Sequence, residues 1–245
     1  MPIHDWTRTY AGAFHAFHVA WIAELQRALN AGLLPAGYYA LGEQVVGGAV
    51  PDVLTLEHRE RGPAPPAAGS PAASRGSSPS PAATIQAVAE EPRYPPRPRV
   101  VAIRHRSGDH LVALIEIVSS GNKRDAAEVG SLVEKTVVAL SKEIHVLLID
   151  LHAPGPYDPQ GLHNLVWAEL GQPPVSLPPD RPLLFVSYLS TGRRVESFIE
   201  PRAVGEALPA MPLFLTPTLH VSLPLEATYQ VAFASLPEHL RQELA

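Results

Sequence analysis

Three carboxylates stand in stretches that otherwise read as apolar strand. Glu43 lies in the run 38–46, Asp52 follows Pro51 at the head of a second run, and Glu116 sits near the end of the apolar stretch that begins at Leu111. A carboxylate among apolar neighbours is costly to desolvate unless it is ion-paired, hydrogen-bonded or bound to a metal. Three of them in one sheet point to a hard cation. Mg²⁺ and Mn²⁺ take oxygen donors, and Mg²⁺ usually keeps several of its waters, so two or three carboxylates are enough. A cation held this way can activate water and stabilise the charge that develops on a phosphoryl group. The competing reading is structural: Glu116 would accept backbone N–H groups from 119–123, and Asp52 would sit in a turn.

The elements that must position these acids follow from hydrophobic periodicity. Phe14, Phe17, Val19, Trp21, Ile22, Leu25 and Leu29 recur near helical spacing, which predicts a helix over 14–30 that ends at Gly32 and Pro35. Strands are expected over 38–46 and 50–57, joined by a turn at Gly47-Gly48. From 61 to 98 the composition shifts to Pro, Ala, Ser and Gly, which predicts a disordered insertion, because such a segment buries too little apolar area to offset its ordering entropy. Strands at 100–104 and 111–118 flank the turn Ser107-Gly108-Asp109. A helix over 125–140 and a buried strand over 144–151 follow, and a strand–helix–strand unit favours a right-handed parallel crossover. A proline-rich connector spans 154–182. Beyond it, 183–189 and 194–199 read as a hairpin, 213–225 as short strand or extended, and 226–244 as helix broken at Pro237. The expected fold is α/β, a mixed central sheet with flanking helices in one domain over 1–245, with 183–245 extending the core.

Bulk properties narrow the function. The net charge is −5, so no global basic field draws a polyanion, although a local basic groove is compatible with it. Cysteine is absent, which removes disulfides and Cys-based zinc sites. No apolar run approaches the roughly 18 residues of a membrane span, and the opening residues lack a basic and then apolar leader pattern. The expectation is a cytoplasmic protein with no membrane partner.

The order of these features resembles a known group. Pro51-Asp52, then Glu116-Ile117-Val118-Ser119, Asn122-Lys123-Arg124 and the strand at 144–151 resemble the bacterial domain-of-unknown-function family 4058, and are similar to Uma2-like restriction-endonuclease-like proteins. Leu208-Pro209-Ala210-Met211-Pro212-Leu213 and Leu223-Pro224-Leu225-Glu226-Ala227-Thr228-Tyr229 extend the resemblance to most of the chain outside the insertion. The resemblance implies a PD-(D/E)XK nuclease-like core. It further implies Asp52 and Glu116 as ligands of Mg²⁺ or Mn²⁺, Glu43 as the preceding acid, and nucleic acid as the partner. One position departs from the pattern: a lysine is wanted two residues after the second acid, and Val118 stands there. Lys123 is the nearest replacement, to position water or phosphate, and Lys135 is a second family-like position. A relocated lysine keeps metal-dependent phosphodiester hydrolysis. A lost one leaves a non-catalytic binding or scaffold module on a decayed nuclease fold.

Other chemistry-bearing residues carry blander readings. His4, Asp5, His15 and His18 could hold a transition metal, but packing against Trp6, Phe14 and Phe17 is the favoured account. No His-Glu-x-x-His spacing is present. Ser119-Ser120-Gly121 lacks the Gly-x-Ser-x-Gly elbow of a serine hydrolase. Lys123, Arg124, Arg193 and Arg194 could touch phosphates, although such residues more often form a solvated surface.

Overall fold

The computed structural model describes residues 3–42, 85–90 (backbone), 103–108 and 110–244. A seven-stranded mixed sheet forms its centre, in the order β1-β3-β4-β5-β6-β7-β2. The strands are β1 (Tyr38–Ala40), β2 (Ile85–Glu90), β3 (Ile103–His105), β4 (His110–Ile117), β5 (His145–Asp150), β6 (Leu183–Ser190) and β7 (Arg194–Arg202). β4 and β5 pair in parallel, with Glu116 opposite Leu148. The other pairings in this sheet are antiparallel.

The parallel pair arises as the sequence requires. β5 is buried along its whole length, as its apolar run predicts for a strand covered on both faces. Its link to β4 is helix α2 (Ala126–Ser141). Asp125 caps α2 by accepting the Glu128 N–H at 2.9 Å. At the other end Glu143 turns the chain at φ 61°, and the Ile144 N–H closes back on the Ala139 carbonyl at 3.0 Å.

The two faces of the sheet carry separate cores. On one, α2 and α3 (Leu162–Glu169) pack Leu132, Val137, Leu140, Val166 and Trp167 against Leu148, Val186 and Tyr188. On the other lie α1 (Ala11–Ala28), α4 (Leu225–Ala234) and the separate hairpin of β8 (Ala210–Thr216) and β9 (Leu219–Pro224). α1 buries Phe14, Phe17, Trp21 and Leu25 in one stripe, whereas Val19 and Ile22 of the expected set are exposed. It runs into a π-turn (Leu29–Leu33) in which Gly32 takes φ 121°, a conformation that favours glycine. The Trp21 indole donates to Thr228 Oγ1 at 3.0 Å, which ties α1 to α4. At about 25 cal/mol per Å², a buried ring of roughly 200 Å² contributes about 5 kcal/mol. A short C-terminal helix, α5 (Glu238–Leu244), follows Pro237.

Two elements differ from the sequence reading, and a third sharpens it. Within the segment expected to be disordered, Ile85–Glu90 forms β2 along the edge of β7. These six residues contain no proline and include β-branched Ile85 and Val88, so they can join a ladder. The proline-rich connector holds α3, with Gly161 (φ 81°) as the residue that leads into it. The stretch 213–225, expected as short strand or extended, lies in the β8–β9 hairpin, which runs straight into α4. The expected strand over 50–57 and the turn at Gly47-Gly48 lie outside the described residues.

Candidate functional site

Glu43 and Asp52 lie outside the described residues. Glu116 and Lys123 lie within them, and the structure gives each a different set of partners.

Glu116 is the next-to-last residue of β4, and Leu114 and Val118, two residues to either side, pack toward α2. Alternation along the strand puts the Glu116 side chain on that same face. There the Lys135 ammonium, on α2, reaches its Oε2 at 2.6 Å. The two side chains are 19% and 24% exposed, so the pair is accessible to water and not sealed in the core. Val118, the position at which the nuclease pattern wants a lysine, is fully buried among Val129, Leu132 and Val133. A side chain there points into the packed layer beneath α2. On the opposite face of the sheet, the His18 ring nitrogen Nε2 lies 3.0 Å from the Ile117 carbonyl. Burial lowers the His18 pKa, with that carbonyl and the charge of Glu116 acting in the opposite direction.

Lys123 belongs to a second constellation at the carboxyl end of β5. Ser119 and Asn122 shape its approach: the Ser119 N–H and hydroxyl both donate to Asn122 Oδ1, at 2.9 and 2.8 Å, in the short 3₁₀ turn Ser120–Lys123. The ammonium then meets Asp150 Oδ2 at 2.9 Å, Asp158 Oδ2 at 2.8 Å, and the His152 and Ala153 carbonyls at 3.0 Å each. Asp150 Oδ2 and the two carbonyls accept the three ammonium N–H groups, and Asp158 Oδ2 adds an ion-pair contact outside hydrogen-bond geometry. The side chains of Lys123, Asp150 and Asp158 are 8%, 4% and 1% exposed. Asp150 Oδ1 also accepts the His152 N–H at 2.9 Å, and Asp158 Oδ1 the Gly155 N–H at 2.7 Å. The cluster thus fastens the loop after β5 to the turn before α2. Burial pushes the Asp150 carboxyl up to about 6 against the pull of Lys123, and Asp158 adds to the rise. Burial likewise holds His152 down at about 4, with Lys123 contributing.

Sequence reasoning missed Asp150 and Asp158 as partners of Lys123. Asp150 carries the same signal that singled out Glu116, a lone acid closing an apolar run. Asp158 sits among Gly, Pro and Tyr residues and carries no such signal.

His4 follows the packing account, and His18 lies half-buried beside Phe14, whereas His15 is exposed. His4 is buried, stacks on Phe233 at 3.7 Å between ring centres, and places Nδ1 2.8 Å from the Tyr229 hydroxyl. Burial lowers its pKa. Trp6 lies against Phe14 and Phe17 at 5.1 and 4.4 Å. Among the described residues no three His, Cys, Asp or Glu side chains are grouped to hold a metal ion. Arg124 is paired with Asp125 and Glu128, and Arg194 approaches Glu196. No helix among the described residues is long and apolar enough to cross a membrane.

In comparisons with known proteins, no family model, no curated protein and no solved structure matches the chain.

Proposed function

We propose that this chain is a PD-(D/E)XK-like protein of the domain-of-unknown-function family 4058 type, acting as a metal-dependent hydrolase of nucleic-acid phosphodiesters. The observation that carries the reading is the Glu116–Lys135 ion pair at 2.6 Å, on the strand that the crossover helix joins in parallel to β5. The resemblance asks for an acid on that strand with a lysine beside it. Val118 cannot supply the lysine from the packed layer, and Lys123 is engaged with Asp150 and Asp158. Lys135 meets the acid from the helix, so the relocated lysine of this reading is Lys135 and not Lys123.

Glu116 offers the hard oxygen donor that Mg²⁺ or Mn²⁺ takes. One carboxylate does not make such a site, and in this reading Asp52 supplies the second ligand and Glu43 the assisting acid. A bound cation would contribute an activated water and charge stabilisation. The chain's own part is to hold the Lys135 ammonium beside Glu116, where it can orient water or offset phosphate charge. The test is incubation of the purified chain with single- and double-stranded DNA and RNA in Mn²⁺ or Mg²⁺. Cleavage that disappears in Glu116→Ala is the expected result, and no cleavage of any substrate contradicts the reading.

A second reading is a binding or scaffold module on a decayed nuclease fold. It is favoured by the charge balance of the same pair, since Lys135 neutralises Glu116 without any metal. Calorimetry separates the two: saturable Mn²⁺ binding that is lost in Asp52→Asn argues against decay.

A further inference from the structure

Lys123, Asp150 and Asp158 form a buried triad that the nuclease reading does not use. Their side chains are 8%, 4% and 1% exposed, so little water reaches the three charges. They come from separate pieces of chain: the 3₁₀ turn after β4, the last residue of β5 and the loop beyond it. Two of the ammonium N–H groups donate to the His152 and Ala153 carbonyls at 3.0 Å each, and the third donates to Asp150 Oδ2 at 2.9 Å. Asp158 Oδ2 lies 2.8 Å from the same nitrogen and carries no hydrogen bond, while its Oδ1 is held by the Gly155 N–H at 2.7 Å.

This geometry prepares an amine to meet a carboxylic acid. Away from water, an ammonium and a carboxylate lose the solvation that keeps them ionised. One proton shift along the Lys123–Asp150 hydrogen bond turns them into an amine and an acid, and burial raises the Asp150 pKa to about 6, in the same direction. The His152 and Ala153 carbonyls keep the other two N–H groups, so the freed lone pair faces Asp150. A hydrogen bond of this length sets the nitrogen about 3.5 Å from the carboxyl carbon, the range of a near-attack arrangement. Such preorganisation acts as an effective concentration of roughly 10⁵–10⁸ M. Asp158 Oδ2 stands against the nitrogen, where a proton leaves as a bond to carbon forms.

We propose that Lys123 and Asp150 condense in the folded chain to an isopeptide bond, with Asp158 as the proton shuttle. Lys123 Nζ attacks Asp150 Cγ. As the C–N bond forms, Asp158 takes a proton from nitrogen and passes it to the departing hydroxyl, which leaves as water. One ammonium and one carboxylate become one amide and one water, Asp158 returns to its starting state, and the balance needs no further reactant. The bond staples the loop after β5 to the turn before α2, at the place where the ion cluster fastens them. It involves neither Glu116 nor Lys135 and is independent of the nuclease reading.

The test is the intact mass of the full chain, purified folded and then denatured, followed by peptide mapping. The expected result is a chain lighter by one water, about 18 Da, than its sequence requires. Trypsin should no longer cut after Lys123, and a branched peptide should join 123 to 150. Chain recovered from inclusion bodies in urea should carry the full mass and lose the water on refolding. Lys123→Arg should keep the full mass after folding. Asp158→Asn, which keeps the shape and removes one buried charge, should slow the closure by about 100-fold or more. If a variant fails to fold, the branched peptide of the unaltered chain decides the question. The proposal is overturned if the folded unaltered chain keeps its full mass, or if the missing water maps to a single linear peptide, as in a succinimide. It is equally overturned if the branch joins Lys123 to a residue other than Asp150, or if folded Asp158→Asn closes at the unaltered rate.

Discussion

Lys135 and Glu116, 19 residues apart in sequence, meet across the space between α2 and β4 with 2.6 Å between Nζ and Oε2. This pairing changes the meaning of the valine two residues beyond Glu116. The motif position is occupied by packing, and the cation arrives from the helix that covers it.

A direct consequence concerns Val118→Lys, which would restore the nuclease pattern on paper. Val118 is fully buried against Val129, Leu132 and Val133, so the substitution places an ammonium in an apolar layer. The expected outcome is a loss of about 3 kcal/mol or more in urea unfolding, with no gain in cleavage. A stable variant with raised activity would show that the packed layer yields to the lysine.

Lys123 is expected to matter for stability. Lys123→Met leaves Asp150 and Asp158 together, buried and without their counter-charge. Breaking a buried ion pair from one side costs about 3–5 kcal/mol. Denaturant unfolding should show a loss of that size, and hydrogen exchange should speed up over 150–158 more than over β6. A change below about 0.5 kcal/mol, the scale of a surface substitution, would count against the clamp.

Acid should destabilise the fold through its buried histidines. Burial holds His145 and His152 at about 4 and His163 at about 3, all below the ordinary 6.5. The unfolded chain therefore binds protons that the folded chain refuses, and the stability these rings contribute is complete above pH 6.5 and lost as pH falls towards 4. Asp150 works in the opposite sense, because its raised pKa makes the folded state the better proton binder between 3.8 and about 6, but it is one group against three. Urea midpoints measured from pH 7.5 to 4.5 should fall steadily, and His163→Phe should flatten the slope. A midpoint that does not move with pH would contradict this assignment.

Divalent cations should stabilise the protein if the acids of the expected set converge. Mn²⁺ at about 100 times its dissociation constant raises stability by about 2.7 kcal/mol. A rise in melting temperature with Mn²⁺ that vanishes in both Asp52→Asn and Glu116→Gln is the expected result. A rise that survives both substitutions would place the metal elsewhere.

How much of this was legible in the sequence depends on the range of the signal. β4, α2, β5 and the β6–β7 hairpin follow from local patterning, because apolar runs and a glycine turn are properties of neighbouring residues. The average composition of the connector masks α3, although Leu162–Glu169 itself contains no proline and carries Leu162, Val166 and Trp167 at helical spacing. β2 was hidden for the same reason. The acid at Glu116 was legible from the cost of burying it, whereas its partner Lys135 was only one of two lysines that the pattern allowed. The choice between them depends on which acids lie near the end of β5. Asp150 is 27 residues from Lys123, and nothing local to either residue announces their contact.

The most direct measurement of the central claim is single-turnover cleavage of labelled DNA and RNA in Mn²⁺ by the unaltered chain, Glu116→Gln, Lys135→Met and Lys135→Arg, with melting curves for each. The account expects cleavage by the unaltered chain, a loss of about 100-fold or more in Glu116→Gln and Lys135→Met without loss of fold, and partial recovery in Lys135→Arg. Cleavage that persists in Lys135→Met, or a folded unaltered chain that cleaves none of these substrates, would contradict it.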